Sequence, residues 1–209
     1  MIEESARDWF EGATAFALDI FEKIPDSKWE EPGLGEWTVR ELAAHTIRAW
    51  RTTLSYLDEA LSADEPIPAE TYFAQALTGP DVHVGVMLRG RDDARSLPDP
   101  SATAKSIARE ALQRVANEAN DRLVPSRFGP LPLPEYLRTR AFELTVHGLD
   151  LARAAGVDIP ASAAQHIHAA TKLAIEVAAA RQLSLPALLA LTGRESLPEG
   201  FTVLDSFQD

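Results

Sequence analysis

The sequence contains no cysteine. Disulfides, thiolate metal ligands and a cysteine nucleophile are therefore excluded together. Chemistry that needs sulfur must draw it from a small-molecule thiol. Basic residues are also scarce: 20 Lys and Arg stand against 32 Asp and Glu, a formal net charge of −12. Affinity for nucleic acid and for anionic lipid comes largely from Lys and Arg. Here Arg138, Arg140 and Arg153 are scattered among acids rather than gathered in a stripe. Neither nucleic acid nor membrane is expected as a partner. Long apolar runs are missing too, since none approaches the roughly 18–20 residues that span a bilayer. The first residues, Met-Ile-Glu-Glu-Ser, are acidic where a secretory signal is basic, and the expectation is a cytoplasmic protein.

What is present is ordinary globular material, 45% apolar and 25% charged over 209 residues, enough for one domain with a real core. Helical periodicity dominates, and no strand pair stands out. Trp9, Ala13, Phe16, Ile20 and Ile24 recur at helical spacing, which predicts a helix over 2–24, ended by Pro25. Thr38-Val39-Arg40-Glu41 has the pattern of a capping box and opens a second helix, running through His45 and Trp50 to about Leu61. Residues 62–68 close it. Residues 71–77 read as helical, while 78–80 and 89–100 read as loop, a long connection suited to a lid or to a plain excursion. A third helix, 101–123, takes Ser101 as its N-cap. Prolines 125, 130, 132 and 134 then stiffen a connector.

The fourth helix spans 133–155, with Pro134 in its first turn and Gly156 just past its end. Further helices are expected over 161–181 and 184–192. The fold class is all-α: a four-helix bundle over 1–160, with 161–209 as a helical extension packed on it. Bundles of this kind can form homodimers, and a homodimer stands as an alternative to a monomer.

On the fourth helix Glu143 and His147 stand four residues apart, on one face, with Cβ atoms about 5–6 Å from each other. A carboxylate and an imidazole so placed can share one divalent ion, or can simply pair with each other. A third ligand must come from another helix, and His45 is the best candidate. Glu41 lies four residues before His45, but the capping box already explains it. Each histidine also has a plain reading, His45 as a core imidazole and His147 as a partner of Asp150. Asp150 can instead orient a ligand imidazole, or pair with Arg153. Arg140, three residues before Glu143, can meet an anionic substrate group or pair with a neighbouring acid. Trp37 and Trp50 read as core or pocket wall. His83, His166 and His168 are weaker candidates, and the last two diverge on a helix.

Two stretches carry a resemblance. Glu36-Trp37-Thr38-Val39-Arg40-Glu41-Leu42-Ala43-Ala44-His45 and Arg140-Ala141-Phe142-Glu143-Leu144-Thr145-Val146-His147-Gly148-Leu149-Asp150-Leu151-Ala152-Arg153 resemble the two signatures of the mycothiol-dependent maleylpyruvate isomerase family, part of the DinB-like superfamily. The likeness runs over roughly residues 5–160, and Leu191-Thr192-Gly193-Arg194 is similar to C-terminal segments of such proteins. It implies a DinB-like four-helix bundle holding a divalent metal, usually zinc, through His45, Glu143 and His147.

It further implies mycothiol as co-substrate, with the metal activating this low-molecular-weight thiol for addition to an electrophilic small molecule. The outcome is an S-transferase or a cis–trans isomerase. Residues 161–209 are few for the mixed α/β second domain of the best-known members, so the expectation is the thiol-dependent class and not the named reaction. Two alternatives use the same ion: a hydrolase that activates water, and a non-enzymatic metal-binding interaction module.

Overall fold

Local capping sets most of the boundaries in the computed structural model, which describes residues 5–60, 65–76 and 82–204, without the side chains of 82–84. Helix α1 (Ala6–Lys23) starts at Ser5, whose hydroxyl accepts from the Asp8 N–H at 3.1 Å. It buries Trp9, Phe10, Ala13, Phe16, Ala17, Ile20 and Phe21 along one face. Helix α2 (Val39–Asp58) opens on the expected capping box: the Glu41 N–H donates to Thr38 Oγ1 at 3.2 Å, and the Thr38 N–H donates to the Glu41 carboxylate at 3.0 Å. It ends at Asp58, and the predicted end at Leu61 lies outside the described residues, as do 62–64 and 77–81.

Helix α3 (Ala69–Ala76) begins where Glu135 accepts the Ala69 N–H at 3.0 Å. Helix α4 (Val82–Arg95) corrects the sequence reading, which placed loop over much of this stretch. Its amphipathic signal is weak and Gly85 and Gly90 interrupt it, so partners on other elements hold it. Asp93 pairs with Arg48 at 2.8 Å, Arg91 with Glu36 at 3.3 Å, and Trp37 Nε1 donates to the Met87 carbonyl at 3.2 Å.

Helix α5 (Pro100–Ala116) is capped by Asp99, not Ser101; Asp99 accepts from the Ala102 N–H at 2.9 Å, and Ser101 donates to the Phe21 carbonyl. It stops at Ala116 rather than 123, because the Arg7 guanidinium takes the Val115 and Glu118 carbonyls at 2.6 and 2.7 Å. The residues freed there form a small antiparallel ladder that the sequence did not suggest, β1 (Leu123–Val124) with β2 (Leu131–Pro132).

Helix α6 (Leu133–Ala155) has the predicted bounds. Gly156 sits at φ 70° after it, and the Val157 N–H returns to the Ala152 carbonyl at 2.8 Å. Helices α7 (Ala164–Ala180) and α8 (Ser184–Leu191) follow, and residues 192–204 continue without further helix or strand. None of the described helices is long and apolar enough to cross a membrane.

The chain adopts the expected all-α class. Helices α1, α6, α2 and α5 are successive neighbours around a four-helix bundle that closes back on α1. Helix α4 lies on α2, α3 and α7 lie on α6, and α8 lies on α7. Arg138 ties these outer helices down, pairing with Glu135 at 2.9 Å and with Glu176 of α7. Trp50 is a core residue, fully buried, its Nε1–H donated to Thr14 Oγ1 at 3.0 Å. Full burial of a large apolar side chain is worth about 1.5–3 kcal/mol, and Trp50 shares the core with Phe10, Phe21, Leu42, Tyr136 and others buried as fully.

The α1–α6 seam offers a test of that packing. A Cβ added at Gly148 would lie 2.6 Å from the ring of buried Phe16. Gly148→Val should therefore cost about 1–3 kcal/mol through overpacking. Urea denaturation should show a lower midpoint at unchanged slope; an unchanged midpoint would refute the close contact.

Candidate metal centre

Helix α6 places Glu143 and His147 one turn apart, and the side chains meet: His147 Nε2 lies 3.1 Å from Glu143 Oε2. The other ring nitrogen, Nδ1, lies 3.3 Å from Asp150 Oδ2. One imidazole is thus held between two carboxylates from its own helix. Helix α2 runs alongside and inserts His45 from across the seam, its ring 4.8 Å from that of His147 in an edge arrangement. One donor atom each from His45, Glu143 and His147 can be chosen so that all lie within 4.8 Å of one another. Among the described residues no other such cluster of His, Cys, Asp or Glu occurs.

The electrostatics single out His45. Burial, then the charge of His147, pushes its pKa down to about 3, so it is a neutral base. Its Nδ1 is buried and makes no hydrogen bond. A buried ring nitrogen without a partner is costly, on the order of 1–3 kcal/mol, unless something completes it. For Glu143, burial opposes ionisation but is outweighed by the His147 hydrogen bond and by the charges of His147 and Arg140, leaving the pKa at about 2. For His147, burial likewise opposes the charge, while the hydrogen bonds to Asp150 and Glu143 raise the pKa to about 9.

Two imidazoles and one carboxylate, one of them with an orphaned buried nitrogen, suit a borderline divalent cation such as zinc, and three protein donors leave a coordination position open. The donor set fits a metal ion.

Trp37 forms one wall. Its ring lies 4.8 Å from His45, and its far edge packs where a Cβ on Gly90 would come within 3.0 Å. Helix α4 is thereby brought against the site, a neighbour the sequence reading missed.

Arg140 lies farther along the same face of α6. Sequence allowed an ion pair with a neighbouring acid, and the structure replaces that reading. Its partners among the described residues are hydroxyls and ring faces: Thr139 at 3.0 Å, Tyr72 at 3.3 Å, Thr52 at 3.5 Å, and the Tyr72 and Tyr136 rings at 5.6 and 5.4 Å. Burial works against the charge, but Tyr72, Tyr136 and Glu143 hold the group protonated. Tyr72 and Tyr136 were also missed; Tyr136, four residues before Arg140, was visible as a stripe-mate, while Tyr72 comes from α3.

Of the weaker histidines, His166 and His168 do not join the cluster. His166 packs against Gly12 of α1, His168 is exposed, and the His83 side chain lies outside those described. A separate groove of about 560 Å³, lined by residues that include Glu22, Asp26, Arg40 and Asp99, contains none of the triad, and its Arg40 is already bound to Glu30 and to the Leu97 carbonyl.

Comparison with known proteins agrees with the motifs. A family model described as the mycothiol maleylpyruvate isomerase N-terminal domain matches residues 10–152, a span containing His45, Arg140, Glu143, His147 and Asp150. A crystal structure of the mycothiol-dependent maleylpyruvate isomerase is similar at 16% identity and a TM-score of 0.47, over 78% of this chain and 66% of that one. The chain thus spans just under two thirds of that protein's length. No curated protein matches.

The two histidines should be distinguishable in metal-free protein. With ¹⁵N-labelled imidazoles, His147 should be cationic at pH 7.5 and titrate near pH 9, and His45 should stay neutral to about pH 3. Because the His147 pKa is raised, its contribution to stability is complete below the unfolded value of about 6.5 and fades as pH climbs through 9. A neutral His147 at pH 7.5 would contradict this arrangement.

Proposed function

The chain belongs to the mycothiol maleylpyruvate isomerase N-terminal domain family, and on that premise we propose that it is a metal-dependent, thiol-using enzyme of the S-transferase or cis–trans isomerase type. Its co-substrates are a low-molecular-weight thiol such as mycothiol and an electrophilic small molecule. The observation that carries this reading is the convergence of His45, Glu143 and His147, with His45 Nδ1 buried and lacking a partner. These three side chains hold a divalent ion, zinc being the best match to the donors. When bound, the ion favours the thiolate form of a small thiol at neutral pH.

The protein's own groups do the rest. Asp150 accepts from His147 Nδ1, which fixes the ring and leaves Nε2 facing Glu143 and His45. Trp37 closes one side against water and holds α4 through the Met87 carbonyl. The chain has no cysteine, so the reacting sulfur arrives with the co-substrate. As a thiolate, that sulfur adds to one carbon of an activated C=C, whose π pair moves onto the activating group. If the proton lost by the thiol is then returned to the other carbon, the product is a thioether. If the pair instead re-forms the double bond after rotation and expels the thiolate, the product is a geometric isomer. Residues 1–160 form the domain that carries the site, and 161–209 form an extension that braces it through α7.

Metal analysis of the purified protein should find about one divalent ion per chain, lost in His45→Ala and in His147→Ala. Asp150→Asn should keep the ion but bind it about 10–100-fold more weakly, as loss of an orienting acceptor does. Full metal retention in both histidine variants would sink the ligand assignment. Metal-loaded protein given mycothiol and a panel of electrophiles should consume thiol or isomerise the double bond at a rate the His147→Ala variant lacks. Hydrolysis of activated esters without thiol dependence would overturn the thiol reading.

A further inference from the structure

Helix α8 is packed on one side only. It is eight residues long, has no side-chain cap at its N-terminus, and buries no residue fully. A helix this short is marginal in water by itself, so its stability has to come from packing. One side is supplied by α7, on which α8 lies. The turn between them fixes its direction: the Leu183 N–H donates to the Ala178 carbonyl at 2.7 Å, and Gln182 adopts φ 61°. On the other side Leu185, Leu188 and Leu191 are 66, 59 and 67% exposed. Their three-residue spacing places them on one face, with Leu188 in the middle.

An uncharged surface continues along α7. Ala164, His168, Thr171, Ile175 and Ala179 recur every three or four residues, and all are exposed. From 160 to 193 the only Asp, Glu, Lys or Arg residues are Lys172, Glu176 and Arg181, in a chain that is 25% charged. Two of these are turned to partners of their own chain, Glu176 to Arg138, and Arg181 to the Val203 carbonyl at 2.6 Å.

Charge decides what can cover this face. A two-fold contact sets a patch against itself. With a net charge of −12, two copies that met through an average patch would set acid against acid. A strongly charged partner, conversely, is drawn to opposite charge, and this face offers almost none. A leucine-rich face nearly free of charge on an acidic protein suits a second copy of the same chain.

We propose that α7 and α8 form a homodimer interface, with α8 packed antiparallel on the α8 of a second copy about a two-fold axis near Leu188. Leu185 of one copy then faces Leu191 of the other. Area sets the strength of the contact. At about 1.5 Å per residue and about 10 Å across, the outer faces of the two helices cover roughly 370 Å² in plan, of which α8 gives roughly 120 Å². A standard interface takes about 800 Å² of accessible surface from each partner. The contact is therefore at the small end of the range, and the dimer is reversible, with a micromolar Kd. It stands independently of the proposed function.

Sedimentation velocity of the full chain over about 1–200 µM should show monomer passing to dimer and no further. Leu188→Glu and Leu188→Lys should each weaken the dimer by at least about tenfold, since each sets like charges face to face at the axis. An equimolar mixture of the two should recover it, because opposite charges then meet there. Leu88→Glu, at an exposed leucine of α4 outside this face, should leave it unchanged. A wild-type chain that stays monomeric means that something else covers the face, and overturns the proposal. So does assembly beyond a dimer, a dimer that survives both variants at position 188, or a mixture of folded variants that remains monomeric.

Should those variants lose their helical circular dichroism, a cross-link decides. The chain has no cysteine, so Leu188→Cys introduces one thiol per copy. Mild oxidation should join two such chains far faster than two Leu88→Cys chains, because facing positions near the axis come within disulfide reach. Equal rates would refute the interface.

Discussion

Charge buried between two antiparallel helices constrains this molecule more than any other feature. The α2–α6 seam contains Arg140, Glu143 and two histidines, all largely withdrawn from water. Such groups persist in a bundle interior only when each finds a counter-charge, a hydrogen bond or a ligand. Glu143 and His147 satisfy each other, and Asp150 secures the second nitrogen of His147. His45 is held neutral and is left with an unmet nitrogen. The incompleteness is local, and the surrounding bundle is rigid enough to sustain it.

That rigidity comes from ordinary sources. The Thr38–Glu41 capping box fixes where α2 starts, and so the rotation at which His45 enters the seam. Arg138 links α6 to α7, and Glu135, its partner on α6, also receives the first N–H of α3. Trp50, Phe21 and Thr14 lock α1 and α2 across the core. The site residues therefore inherit their placement from contacts that take no part in chemistry.

Much of this was legible in the sequence, for reasons particular to each element. Helix α6 is punctuated by Pro134 and Gly156, whose backbone preferences are local, and its bounds followed directly. The Glu143/His147 spacing was readable, but the pairing with His45 needed the two motifs together, since spacing within one helix carries nothing about another. Helix α4 was misread because its stability lies in Trp37, Arg48 and Glu36, residues remote in sequence. The end of α5 was misplaced for the same reason: Arg7, near the start of the chain, takes the Val115 carbonyl at its end and the Glu118 carbonyl just beyond. The surroundings of Arg140 depend on Tyr72 of α3, which only folding brings near.

Gly148 directly follows His147, and the volume its missing side chain leaves is filled by the Phe16 ring. The α1 side of the site is thus sealed with hydrocarbon, immediately behind an imidazole of the triad. With Phe16 behind it and the Trp37 ring walling the His45 side, a ligand of the triad would approach along what remains of the α2–α6 seam. Access from a single direction has a stereochemical meaning. An addition that makes a new tetrahedral carbon here would expose one face of a planar substrate and shield the other, so the product would carry one hand.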